Sequence, residues 1–192
     1  MKLLTREESE NWLRSKYMPT LEAIQAGLAG WNTYSIVIPD SSTQKTGLAN
    51  MLVSNEAQDG NLMLYLIEAN SFEEINNEYL FWRVREGKEA TYTIQERPGQ
   101  DFNHGEERIC CSLVAICLYL GYTFALIDPF RRLIVLSQAD ERLIWYCENE
   151  EFRSTALWIE GALHGHPITY KHREKNAVDQ VAREEPGTTG DL

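Results

Sequence analysis

Hydrophobic positions recur along the chain at two spacings, and the spacing assigns the elements. Thr5 stands ahead of REESENWLRSK, with Glu8 three residues on, the capping-box pattern that opens a helix. Trp12 and Leu13 supply that helix with a short apolar face. After Pro19, Leu21, Ile24 and Leu28 repeat at helical intervals, with Gly30 as the stop. Residues 33–38 (TYSIVI) read as a strand, ended by Pro39 and Asp40. A short helix over residues 43–54 turns Leu48, Met51 and Leu52 inward, and Asp59-Gly60 marks a turn. Residues 62–68 (LMLYLIE) are apolar enough to lie centrally in a sheet. Ser71 caps a long helix, with Glu74 as box partner and Phe72, Ile75, Tyr79 and Trp82 along one face. Residues 91–95 read as a strand that ERPGQD breaks.

Residues 109–127 then run for nineteen positions without a charge, ICCSLVAICLYLGYTFALI. That length suits a membrane span. Gly121, however, sits where a helix C-cap belongs, and Tyr122, Thr123 and Phe124 favour a strand. The run therefore divides into a buried helix at about 105–120 and a strand near 123–128. Two further short strands follow, 133–137 and 143–147, joined by the tight connections Asp128-Pro129 and 138–141. The three strands form an antiparallel meander. Asn149 caps a last helix with Phe152, Ala156 and Ile159 on one face. The expected fold is α+β, or mixed α/β: one domain with a mixed β-sheet and a C-terminal antiparallel meander, packed by helices. Residues 1–170 form the globular domain. Residues 171–192, charged and poor in apolar side chains, read as a mobile tail.

Charge narrows the classes of partner. The 192 residues carry 18 Lys+Arg against 29 Asp+Glu, a net charge of −11. Such a balance disfavours sequence-independent binding to nucleic acid, which needs clustered cations against phosphates. It also disfavours anionic membrane surfaces and is compatible with a basic protein partner or simply with solubility, the commoner case. The segment MKLLTREESE lacks the apolar stretch of a secretory signal. Cys110, Cys111, Cys117 and Cys147 show neither a CxxC pair nor zinc spacing, and read as small buried thiols of a reducing cytoplasm.

Candidate chemistry is sparse. GxxxxGK[ST], GxGxxG, GxSxG and HExxH do not occur, and no cofactor is expected. His164 and His166 are two apart around Gly165, a spacing that lets two imidazoles face one metal; the plainer reading is a loop. His104 precedes Cys110 and Cys111, a candidate base and nucleophile, although burial raises a thiol pKa. Glu106 and Glu107 beside it complement a positive helix end. Trp82, Arg83 and Arg85 are residue types enriched at binding hot spots. Asp140, Glu141, Glu148, Glu150 and Glu151 bracket the strand 143–147 as acidic rims of a kind that can steer a basic partner, the plainer reading being a solvated surface. Asp128, Asp140 and Glu141 are hard oxygen donors for Mg²⁺.

In size, acidity, lack of catalytic motifs and mixed α/β text, the chain resembles the small cytoplasmic immunity or inhibitor proteins that neutralise toxins. The likeness is one of composition and covers no motif. It implies a non-enzymatic acidic module that binds a basic protein. The alternatives are a metal-assisted or Cys/His hydrolase, and a structural subunit or homodimer.

Overall fold

The protein begins with elements made by local hydrogen bonds. The computed structural model describes residues 1–56, 61–68, 93–138, 141–148 and 169–171. Strand β1 (Lys2–Leu4) runs into helix α1 (Arg6–Ser15). The Thr5 hydroxyl accepts from Glu8 N (3.1 Å), and the Glu8 carboxylate accepts from Thr5 N (2.8 Å), so the expected capping box forms. At the other end Met18 N donates to Leu13 O (2.9 Å) and Tyr17 N to Arg14 O (3.1 Å). This is a Schellman termination, with Tyr17 left-handed at φ 55. Helix α2 (Leu21–Ala26) ends at Gly27, φ 88, one turn short of the expected stop at Gly30. Strand β2 (Asn32–Val37) and helix α3 (Ser42–Glu56) follow, with Leu48 and Leu52 buried as expected and Met51 half-buried against them.

Strand β3 (Leu62–Glu68) stands where the apolar run placed it. The strand expected at 91–95 is absent where the chain is described: residues 94–96 are a turn in which Thr93 and Glu96 cap one another. A strand forms instead inside the supposed breaker, β4 (Gly99–Phe102, GQDF). Its composition is poor for a strand, yet β1 and β3 pair with it from both sides. Gly99 fits because it carries no side chain: a Cβ there would stand 2.2 Å from Ser9 Oγ.

Helix α4 (Glu107–Leu120) ends at Gly121, φ 68, with Tyr122 N donating to Cys117 O at 2.9 Å. Strand β5 (Thr123–Asp128) leaves directly, so the uncharged run is a helix and a strand, and no described helix is long and apolar enough to cross a membrane. Burial of α4 is one-sided: Cys110, Leu113, Val114, Cys117 and Leu118 face inward, while Tyr119 is 62% exposed. The meander continues as β6 (Leu133–Gln138) and β7 (Arg142–Cys147). Strand β8 (Thr169–Lys171) pairs with β2 and extends one residue into the segment expected as tail. The remainder of that tail, the helices expected from Ser71 and Asn149, and the Asp59-Gly60 turn lie outside the described residues.

All eight strands join one sheet in the order β1-β4-β3-β5-β6-β7-β2-β8. The expected mixed sheet is corrected: every described pairing is antiparallel. The misleading signal was the alternation of helices and strands in the first half of the chain, usual for parallel sheets covered on both faces. Here an antiparallel sheet is covered on both. Leu62, Leu64 and Leu66 of β3 pack with Phe124, Leu126 and Val135 under α3 and α4. Met63 and Tyr65 pack with Ala125, Ile127 and Ile134 under α1 and α2. Two cores, one per face, make a single α+β domain.

Candidate functional site

The expected binding residues divide at once. Trp82, Arg83, Arg85, Asp140, Glu150, Glu151, His164 and His166 lie outside the described residues. Glu141 and Glu148 are described, and both are exposed. They flank β7 at opposite ends, roughly 20 Å apart at the rise of an extended strand. Glu141 serves the fold through its backbone, donating to Gln138 O (3.2 Å) and accepting from Ile38 N (3.0 Å). Glu148 is different, because its end of the sheet carries a built cluster.

The cluster begins in the β5–β6 turn. Asp128 is buried, and its Oδ1 accepts from Phe130 N (2.9 Å) and Arg131 N (3.1 Å). Its Oδ2 lies 3.3 Å from Arg131 Nη1. This carboxylate, weighed as a Mg²⁺ ligand, therefore shapes a turn. Arg132 closes the turn in the left-handed region, φ 55. Its Nε donates to Glu148 Oε2 at 2.6 Å, its Nη1 donates to Tyr17 O, and Nη1 also lies 3.4 Å from Met18 Sδ. The guanidinium sits 5.7 Å from the centroid of the half-buried Trp31 ring, within cation–π range. One side chain thus ties together the end of α1, the approach to β2, the β5–β6 turn and the end of β7.

Two large aromatics stand in solvent around this clamp: Tyr17, 87% exposed, and Phe130, 67% exposed. Exposed rings beside a fixed arginine have the composition of a hot spot. Two non-glycine residues held left-handed in one cluster also mark a place where backbone strain is tolerated. The sequence had pointed to Asp128-Pro129 as a turn. The residues that matter, Tyr17, Phe130 and Arg132, were legible only as an aromatic at a helix end (YMP) and an aromatic and two arginines following a DP turn.

The thiol chemistry weighed from the sequence has no support in this geometry. Cys110 is fully buried, and burial pushes its thiol far above the ordinary range. Cys111 is half-buried, its thiol also raised by burial, and it donates to Asn50 Oδ1 at 2.9 Å. His104 stands in solvent with Nδ1 3.4 Å from Glu107 Oε1. Glu107 accepts from Gly105 N (2.8 Å), which holds its carboxyl below the usual range. Glu107 lies in the first turn of α4, where its charge complements the positive helix end, but the N-cap residue Glu106 makes no side-chain capping hydrogen bond. Among the described residues no three His, Cys, Asp or Glu side chains gather as a metal site. Compared with known proteins, the chain matches no family model, no curated protein and no solved structure.

Proposed function

We propose that this protein is a non-enzymatic binding module that engages a basic protein partner through the Tyr17–Phe130–Arg132 end of its sheet. The observation that carries the reading is Tyr17. Its backbone is left-handed, where glycine is the cheaper residue, and its ring is almost wholly in solvent. The fold gains little from that ring, so the ring is kept for something outside the fold. Phe130 and the arginine clamp supply a second anchor and a rigid support. The partner's charge follows from the net −11, which attracts a cationic surface from a distance and speeds encounter. Cys110, Cys111, Cys117 and Cys147 form no disulfide, which supports a cytoplasmic setting. A role of the immunity or inhibitor type, sequestering a basic toxin or enzyme, is the form this activity takes in the reading.

Capture from a native extract tests it, with the wild type and a Tyr17→Gly/Phe130→Ala double variant immobilised in parallel. A basic protein retained by the wild type, absent from the variant and released as salt rises past ~0.1–0.2 M is the expected result. Identical retention by both chains would overturn the assignment of the surface. A salt-insensitive complex would overturn its electrostatic part. Light scattering separates the remaining case: a dimer lost in the double variant would make the occupant a second copy.

A further inference from the structure

The other end of β7 carries a second feature, unrelated to the aromatic clamp. Along β7, Leu143, Trp145 and Cys147 pack under α3 and α4, so Arg142, Ile144 and Tyr146 face the side of α1 and α2. Register places Gln138 of β6 and Val37 of β2 on either side of Arg142, with Ser35 opposite Ile144 and Thr33 opposite Tyr146. Helix α2 stops at Gly27, short of this part of the sheet, which no other described helix covers. The result is a groove of about 440 Å³, walled by the α2 end and floored by Thr33, Ser35, Gln138, Arg142, Ile144 and Tyr146. That volume lies within the usual range for small-molecule sites, roughly 300–1,000 Å³.

The lining is chemically one-sided. The chain has 29 Asp+Glu, yet among the described residues none that lines the groove is acidic. The polar groups present are a guanidinium, a carboxamide and three hydroxyls, all able to donate. Arg142 makes no ion pair with a described residue, unlike Arg131 and Arg132, which are paired to Asp128 and Glu148. Burial pushes the Tyr146 phenol up, so it remains a donor at neutral pH. The α2 end lies over that hydroxyl: a Cβ on Gly27 would stand 3.6 Å from it. We infer that this groove binds a small organic anion, a carboxylate- or phosphate-bearing molecule, with Arg142 taking the charge and Ser35, Gln138 and Tyr146 orienting it. A charge-assisted bond from an arginine to such a group is the strong kind, and among the described residues no carboxylate lines the groove to compete for Arg142.

The test uses citrate and inorganic phosphate as probes, each titrated against the intact protein and followed by backbone amide NMR. Saturable shifts at Ser35, Gln138 and Ile144 are expected with at least one probe, and the probe that saturates first tells carboxylate from phosphate recognition. Arg142→Gln should weaken that binding by about ten-fold or more. Tyr146→Phe should weaken it less, and Arg131→Gln should leave it unchanged. The Arg142 side chain is exposed, so its variant folds, and the spectrum itself verifies this. Shifts that fail to saturate, that sodium chloride reproduces at equal ionic strength, or that persist in Arg142→Gln would overturn the inference.

Discussion

Helices α1 and α4 end in the same way and are built from opposite materials. Both close with a six-to-one hydrogen bond and a left-handed residue, Tyr17 in one and Gly121 in the other. Helix α4 has no side-chain hydrogen bond at its N-cap and is held by the apolar face that it buries. Helix α1 buries only Ser9 and Leu13 and starts on a full capping box. Where the helix belongs to the core, the terminator is the residue the backbone prefers. Where it opens onto solvent, the terminator is an aromatic that the backbone tolerates. The difference separates residues selected by packing from a residue whose side chain packs against little of the fold.

The largest test of this contrast lies in α4. Val114 is fully buried among Leu113, Cys117 and the strand side chains. Val114→Asp places an unpaired charge there, at a loss of several kcal/mol against a domain stability of about 5–15 kcal/mol. Urea denaturation followed by circular dichroism should show no cooperative transition. Ile116 is only half-buried at the edge of the same face, so Ile116→Asp should remain folded with a lowered midpoint. A Val114→Asp protein with the wild-type midpoint would remove α4 from the core and void the comparison.

A smaller effect is expected at the start of α1. Thr5→Ala removes a capping side chain and should cost about 1 kcal/mol. The same box carries a pH signature. The Thr5 N–H on its carboxylate is the main cause that lowers the pKa of Glu8 in the fold from 4.5. A depressed folded pKa means stability that is present above 4.5 and is lost as pH falls through the folded value. Glu8→Gln lacks that ionisation, so between about pH 6 and about pH 3 its stability should decline less than that of the wild type. Parallel declines would show that the box contributes nothing measurable. Glu107 at the head of α4 is lowered too, by the Gly105 N–H, so the difference between the two chains is the quantity to read rather than the decline itself.

How much of this could be seen in the sequence depended on how local the cause was. The capping box, the break at Gly121 and the three strands of the meander rest on neighbouring residues, and all were legible. Strands β1 and β4 were not, because KLL is too short and GQDF too polar to declare itself. They exist because each meets a partner far away in sequence. The sequence reads as a mixed sheet because helices and strands alternate over its first half, a pattern that does not fix strand direction. The open groove has a signal in the sequence: in NTYSIV, Thr33 and Ser35 alternate with buried Tyr34 and Ile36, unlike the continuous apolar run of β3. The aromatic end was the least legible part. Exposure of Tyr17 and Phe130 is set by how two distant loops meet at Arg132, and composition holds no trace of that.

The finest test returns to the two helix ends. A left-handed tyrosine costs roughly 1–2 kcal/mol relative to the right-handed form, whereas glycine adopts the conformation freely but loses about 0.5–1 kcal/mol of chain entropy on folding. Tyr17→Gly makes the end of α1 resemble that of α4. Its ring is 87% exposed, so little burial is lost. The variant should therefore gain stability, by an amount below about 1 kcal/mol and visible as a higher urea midpoint. In the capture experiment it should bind more weakly. Higher stability joined to weaker binding is the pattern of a residue held in place against the interest of the fold. A Tyr17→Gly protein that is less stable, with binding intact, would make Tyr17 a structural residue after all and would leave Phe130 as the anchor to examine.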